Sequence, residues 1–433
     1  MKKIIACIFV FFMLIIPIQS AFGITQNIEI ENNVESREVT FDTDIVEMIS
    51  QVNESMLFTY LKGLVDIGTR YVGSENCNKA ANYLHDEFEK LGLDVYIDPW
   101  RYPKYKCRNV IATLNGTDTS SDAIFVLCAH FDTIGDSPGA NDDGSGIAAM
   151  LAIANITSKY TFNHTLRFVA TSGEEVGLYG SHDYARKAYL RNENIVGVLN
   201  IDTIGNTTVK GGNVAYLLKP ERSEWMSSII KELSQTYMNY VNLSVLSIKN
   251  RNNDHRSSLN YGYDVVQFVQ LARGNYPLHT PQDTFEKVNF TYLTKITKLI
   301  LATTVELVNK PIDVRVRFVT PKEGYIYLFD LPIFRQPRIN ILGKNARGMT
   351  YIIGRTTARI NITTKEEINS VSFSIDGIAS FPGFLQGSPY EWVIKFSNKI
   401  FPLTGKHTLG VYVCTSSGKT AYDEMDVFVF TAH

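Results

Sequence analysis

The sequence predicts an α/β domain with a mostly parallel central sheet flanked by helices, followed by an all-β sandwich. Three observations carry this. From about residue 43 to residue 311, helical patterns alternate with short β-rich runs. Those runs are almost continuously apolar, as strands covered by helices on both faces must be. Beyond Pro311 the helical period stops, and seven or so short strand-like runs follow with turn residues between them.

The elements follow in order. Lys2 and Lys3 precede an apolar run from Ile4 to Ile16, then Pro17 and the small-residue segment "SAFG". This is the layout of a cleaved export signal over residues 1–23, which predicts a secreted or cell-surface protein whose mature chain starts near Ile24. An uncleaved anchor fits less well, because the run is short and Ala21-Phe22-Gly23 offers a cleavage site. Residues 24–42 are polar and aperiodic, a linker or pro-segment. In "NKAANYLHDEFEKLG", Ala80, Leu84, Phe88 and Leu91 share one face and Gly92 stops the helix. "NVIATL", "AIFVLCA", "LRFVAT", "VGVLNI" and "DVVQFVQL" read as central strands, and "SEWMSSIIKELSQTYM" and "TYLTKITKLILATTVELV" as helices. Together residues 43–311 form the expected α/β domain. In 312–433, "VRVRFVT", "YIYLFDL", "ARINITT", "VSFSID", "YEWVIKF", "HTLGVYVCT" and "DEMDVFVF" suggest a sandwich of immunoglobulin-like type.

A chain of 433 residues with a formal net charge of -2 has material for two cores and no basic stripe, so no nucleic-acid partner is expected. After signal removal no segment is long and apolar enough to span a bilayer. Four cysteines remain, Cys77, Cys107, Cys128 and Cys414, which allow three pairings. Cys128 lies in an apolar run and reads as a buried thiol. Cys77 with Cys107 is the preferred disulfide, since both flank the same predicted helix and strand and export permits oxidation. N-x-S/T triplets begin at Asn53, Asn115, Asn155, Asn163, Asn206, Asn242, Asn289 and Asn361, but chance supplies several of these.

In an open α/β sheet, ligands gather beyond the carboxyl ends of the strands. There "AIFVLCA" is followed by His130, "LRFVAT" by Ser172, Gly173, Glu174 and Glu175, and "VGVLNI" by Asp202, while "HTPQDT" with His279 follows "DVVQFVQL". The glycine-rich "GANDDGSG" adds Asp142. Singly, each is explained by a turn, a helix start or a hydrogen-bonded histidine. Together they crowd carboxylates on one edge with no basic residue nearby in sequence, and a cation is the simplest compensation. Histidine and carboxylate without cysteine suit zinc or a related divalent ion in a catalytic site.

"HFDT", "GANDDGSG", "SGEEVGLYGS", "NIDTIG" and "HTPQDT", in this order, resemble the co-catalytic di-zinc exopeptidase family of secreted leucine aminopeptidases, glutamate carboxypeptidases and glutaminyl cyclases. The resemblance covers roughly residues 55–310. It implies two zinc ions, with His130 and Asp202 on one, Glu175 and His279 on the other, and Asp142 bridging them. It also implies that Asp132 orients His130 and that Glu174 is the general base, taking a proton from a water activated by the metals. Asp143 reads as a turn or cap. The sequence departs from the family where a tyrosine often precedes the last histidine: Leu278 stands there, with Tyr276 nearby as a substitute. Asp254-His255 resembles a "DH" segment of the family and equally reads as a helix start. The C-terminal runs resemble immunoglobulin-like modules of exported proteins, which implies attachment or spacing through contact with a surface or a carbohydrate.

Other readings compete. "GDSPG" matches a serine-hydrolase elbow, but the residue after Ser137 is Pro138, which has no N–H for an oxyanion. A glutaminyl cyclase would use one zinc, and an idle binding protein would have no use for Glu174. The expected activity is therefore an aminopeptidase acting on peptide substrates. A carboxypeptidase would instead need cations for the substrate's carboxylate, for which Arg251, Arg256 and Arg273 are the candidates.

Overall fold

The apolar runs form the middle of an eight-stranded sheet. The computed structural model describes residues 42–433 except 192, 208–211, 221–222, 250–255, 271–275, 312–313, 336–339, 342–343, 346–348, 365, 380–389, 395–403 and 431–433. The segment read as an export signal, most of the segment read as a polar linker, and Arg251, Asp254, His255 and Arg273 lie outside the described residues. The strands are β1 (Asp94–Arg101), β2 (Lys106–Leu114), β3 (Ile124–His130), β4 (Thr165–Thr171), β5 (Ile195–Asp202), β6 (Val214–Lys219), β7 (Ser244–Lys249) and β8 (Val265–Val269). Their spatial order is β1-β2-β4-β3-β5-β8-β6-β7.

The sheet is mixed around a parallel centre. β4, β3, β5 and β8 run parallel, while β1–β2, β2–β4 and β8–β6 pair antiparallel. β1 and β2 are joined by a tight turn in which Tyr102 N–H donates to Tyr105 O at 2.8 Å, a connection too short for anything but an antiparallel hairpin. β1, β6 and β7 were not expected from the sequence.

Helices α1 (Thr43–Gln51), α2 (Glu54–Val65), α3 (Glu75–Lys90), α4 (Gly144–Thr157), α5 (Tyr179–Leu190), α6 (Glu224–Thr236), α7 (Met238–Val241), α8 (Arg256–Leu259) and α9 (Phe290–Asn309) accompany the sheet. α3 presents Ala80, Ala81, Leu84 and Phe88 to the core, the face its spacing predicts. α4 differs: nearly every residue is buried, so "GIAAMLAIANI" carries no polar face and is held between β3 and helices α2 and α9. Among the described residues, no helix is long and apolar enough to cross a membrane.

The described C-terminal residues build three further sheets, the smallest a two-stranded pair of Asn340–Ile341 with Lys344–Asn345. Val314–Thr320, Thr356–Thr364 and Glu391–Ile394 form a three-stranded sheet. A seven-stranded sheet contains Tyr325–Leu328, Ile368–Ile375, Gly405–Thr415 and Thr420–Phe430 among its strands. The two share one apolar core of residues including Val316, Ile352, Phe373, Val411 and Val427, as a sandwich requires. Arg317 on the first of these strands reaches back to donate to Ile195 O at 2.6 Å, and its guanidinium lies over the Tyr263 ring.

Candidate metal centre

The carboxyl ends of the parallel strands meet at one rim. His130 is the last residue of β3 and pairs in register with Thr171, the last of β4, and Asp202 at the end of β5 pairs with Val269 at the end of β8. The Glu174–Glu175 turn follows β4, and His279 comes in on the loop after β8. Two triads result, His130–Asp142–Asp202 and Asp142–Glu175–His279, with the candidate ligand atoms of each within 4.8 Å of one another.

Asp142 belongs to both. Its Oδ1 lies 3.3 Å from His130 Nε2 and its Oδ2 3.1 Å from His279 Nε2. Asp202 Oδ1 lies 3.8 Å from His130 Nε2, and Glu175 Oε2 lies 3.2 Å from His279 Nε2. One carboxylate thus faces an imidazole and a second carboxylate on either side. Glu174 Oε2 stands 3.9 Å from His130 Nε2, beside the triads but belonging to neither. Each triad offers the nitrogen and oxygen donors that catalytic zinc takes, so the residues fit two such ions sharing Asp142.

The electrostatics agree. Burial works against a charge on His130, but Asp132, Asp142 and Asp202 hold its pKa well above the ordinary value. Asp142 lifts His279 to about 9. Burial raises Asp142, yet the two imidazoles outweigh it and hold the carboxyl below its usual range. Burial, helped by Asp142 and Glu174, lifts Glu175 to about 7. The carboxylates thus demand positive charge at both triads.

Asp132 meets the His130 ring through its main chain. His130 Nδ1 meets the main-chain oxygen of Asp132 at 3.1 Å, while the nearer carboxylate oxygen is 3.6 Å away, too far for a hydrogen bond. Donation from Nδ1 to that carbonyl leaves Nε2 for a metal. The wholly buried carboxylate instead accepts from the backbone N–H groups of Glu174 (3.2 Å) and Glu175 (3.4 Å), so it sets the turn that separates the two glutamates.

Asp143 is the cap expected of it. Its carboxylate accepts from Gly146 N at 2.9 Å at the start of α4, and also from Thr203 N at 3.1 Å and His130 N at 3.3 Å, tying α4 to the ends of β3 and β5. A Cβ on Gly146 would lie 2.5 Å from this carboxylate, and one on Gly139, at φ +62, would lie 2.6 Å from Asp142 O. The glycines of "GANDDGSG" therefore permit the loop to close. Ser137 is buried and accepts from Gly139 N, which agrees with rejecting it as a nucleophile.

Several supporting residues escaped the sequence reading. Asp283, within "HTPQDT", is wholly buried and accepts from Asn141 N (2.9 Å), Asp142 N (3.0 Å) and the Tyr276 hydroxyl (2.9 Å). Tyr276 is thus engaged with Asp283, which corrects its expected place at an oxyanion. Gln267 on β8 donates to Asp202 Oδ2 at 3.1 Å. Arg70, wholly buried, is the basic residue that sequence proximity did not show. Its guanidinium donates to Phe131 O, Pro138 O and Gly139 O at 2.6–2.9 Å, and desolvation lowers its pKa to about 10. Because those donors are taken by carbonyls, Arg70 shapes the loop and leaves the triads to a metal. Leu178, Thr203 and His279 all have φ above +50, strain that collects around a site the rest of the fold holds in place.

Fold and donor set define a zinc-peptidase class of domain. Residues 109–304 match Peptidase family M28, which supports a zinc-dependent peptidase. A probable zinc metalloprotease of Pyricularia oryzae is 32% identical over 260 residues, 48% of this chain and 51% of that protein, so the chain spans about half the length of that relative. Another, from Pyrenophora tritici-repentis, is 25% identical over 337 residues, 62% of this chain and 77% of that one. Among solved structures, LapB from Legionella pneumophila superposes with a TM-score of 0.57 at 25% identity, over 63% of this chain and 76% of LapB. BSAP, a zinc aminopeptidase from Bacillus subtilis, shares the fold with a TM-score of 0.54 at 17% identity, over 60% of this chain and 96% of its own.

Proposed function

We propose that the protein is an exported aminopeptidase that removes N-terminal residues from peptides, with two zinc ions held by His130, Asp142, Glu175, Asp202 and His279. The observation that carries this reading is Asp142, whose two oxygens each face a different imidazole. Zinc bound there supplies Lewis acidity toward the scissile carbonyl and lowers the pKa of the attacking water. Glu174 accepts that water's proton and returns it to the leaving amine. Asp132 keeps Glu174 available by holding both amides of the turn, so that Glu175 is directed to His279.

Preference for the amino end rests on charge. Glu174 and Asp202 are carboxylates at the site and favour a substrate's ammonium group, while the buried guanidinium of Arg70 is bound to carbonyls. Export rests on Lys2, Lys3 and the apolar run to Ile16. For the C-terminal sandwich we propose an immunoglobulin-like module at 312–433 that serves attachment or spacing.

One peptide in free, N-acetylated and C-amidated forms, incubated with the zinc-loaded protein and read by mass spectrometry, tests the activity. The expected result is stepwise loss from the amino end, blocked by acetylation alone. Trimming from the carboxyl end would replace the reading with a carboxypeptidase, and intact peptides in all three tubes would refute a peptidase.

A further inference from the structure

Behind the Glu174 turn two thiols meet. Cys77, in the first turn of α3, and Cys107, on β2, place their sulfurs 3.3 Å apart, with Cys77 fully buried and Cys107 partly exposed. A disulfide needs about 2.05 Å, so a closure of little more than 1 Å joins them. Cys107 is directly opposite Trp100 in the β1–β2 hairpin. Trp100 donates from its indole nitrogen to Ser172 Oγ at 3.1 Å, and its ring leaves no space for a Cβ on Gly173. Ser172 in turn donates to Arg108 O at 2.8 Å. Helix α3, the hairpin and the segment leading to Glu174 thus converge on one pair of sulfurs.

We propose that Cys77 and Cys107 are a redox-active pair that closes to a disulfide by exchange with an external disulfide, bracing the wall behind the catalytic turn. Cys107 is the attacking sulfur, since it is the exposed one. Hydrogen bonding, first of all from Cys77 and also from the backbone, draws its pKa down to about 6 against the opposing effect of burial. Its thiolate attacks one sulfur of R–S–S–R, expelling R–S⁻, which takes up a proton. Cys77 then attacks the Cys107 sulfur of the mixed disulfide, expelling the second R–S⁻, which takes up the proton that Cys77 loses. Two protein thiols are oxidised and the external disulfide is reduced to two thiols.

The test uses the full mature chain, reduced, freed of reductant and exposed to oxidised glutathione, with intact mass and non-reducing peptide maps as readouts. Wild type is expected to lose the mass of two hydrogens and to yield one cross-linked peptide joining Cys77 to Cys107. Cys77→Ser is expected to stop at the mixed disulfide, with one glutathione on Cys107. Closing a loop of this span is expected to raise the unfolding midpoint of oxidised wild type by about 5 °C or more over the reduced form, a difference absent in the variant. Wild type that keeps both thiols free, or that retains glutathione on Cys107 as the variant does, overturns the proposal. Should Cys77→Ser not fold, the wild-type mass and midpoint decide alone.

Discussion

Asp283→Asn probes whether the loop bearing Asp142 is held by the buried carboxylate beneath it. Asp283 accepts three hydrogen bonds, two from the backbone of Asn141 and Asp142 and one from Tyr276. The amide keeps one accepting oxygen and turns an NH₂ toward a buried donor. Losing a hydrogen bond to a charged acceptor costs about 1.5–3 kcal/mol, and stranding a buried donor about 1–3 kcal/mol more. Burial raises the carboxyl's pKa, so neutralising it returns part of this, leaving a net loss of about 2–4 kcal/mol. Because the displaced segment carries Asp142, zinc affinity is expected to fall about 10–100-fold, as for other groups that orient a metal ligand. Urea unfolding of the zinc-free protein measures the first quantity and competition with a chromogenic chelator the second. An unchanged midpoint together with wild-type zinc retention would refute the reasoning.

Gly146→Ala places a methyl group against the Asp143 carboxylate, where the gap is 2.5 Å, and is expected to break the α4 cap. Loss of the cap alone costs about 1 kcal/mol, so a lowered urea midpoint checks it. Chelation is expected to abolish turnover and lower the thermal midpoint, because Asp142, Glu175 and Asp202 then face one another without a dication; added zinc restores both, and an unchanged midpoint counts against the ligand set. In the reduced protein, alkylation of Cys107 by iodoacetamide should follow its thiolate. The folded pKa is depressed to about 6, so the reactive form is present above that pH and is lost as pH falls through it. Cys77 is the titratable group facing Cys107, and Asp132 acts on Cys77 from farther off. Cys77→Ala should move the midpoint upward toward an ordinary thiol, and an unshifted midpoint would show that Cys77 does not set it.

β3, β4, β5 and β8 were legible because strands buried on both faces must be apolar throughout, and β5 and β8 are buried at every position. β1 was not, since "DVYIDPWR" lies at the sheet edge with charged residues and a proline that an edge tolerates. β7, the opposite edge, exposes Leu246 and Ile248 and half-buries Val245 and Ser247, so polar and apolar residues fall on both faces and no inward apolar face marks it. The sheet's antiparallel flanks depend on which strands become neighbours, which local sequence does not encode. His130 and Asp202 could be found because each directly follows an apolar run, and Glu174 and Glu175 because they come only a Ser-Gly step after one. Arg70 and Gln267 could not: their roles arise from contacts with residues more than sixty positions away. Asp283 lay inside a recognised motif, but its three hydrogen bonds appear only when the loop after β8 is folded against Asn141 and Asp142.

The central claim is a site for two zinc ions with Glu174 as the base. It is tested most directly by measuring bound zinc and turnover together in the wild type and in Glu174→Gln. The account predicts two zinc ions per chain in both proteins and turnover at least about 100-fold lower in the variant. A single zinc per chain in the wild type, or full turnover in Glu174→Gln, would contradict it.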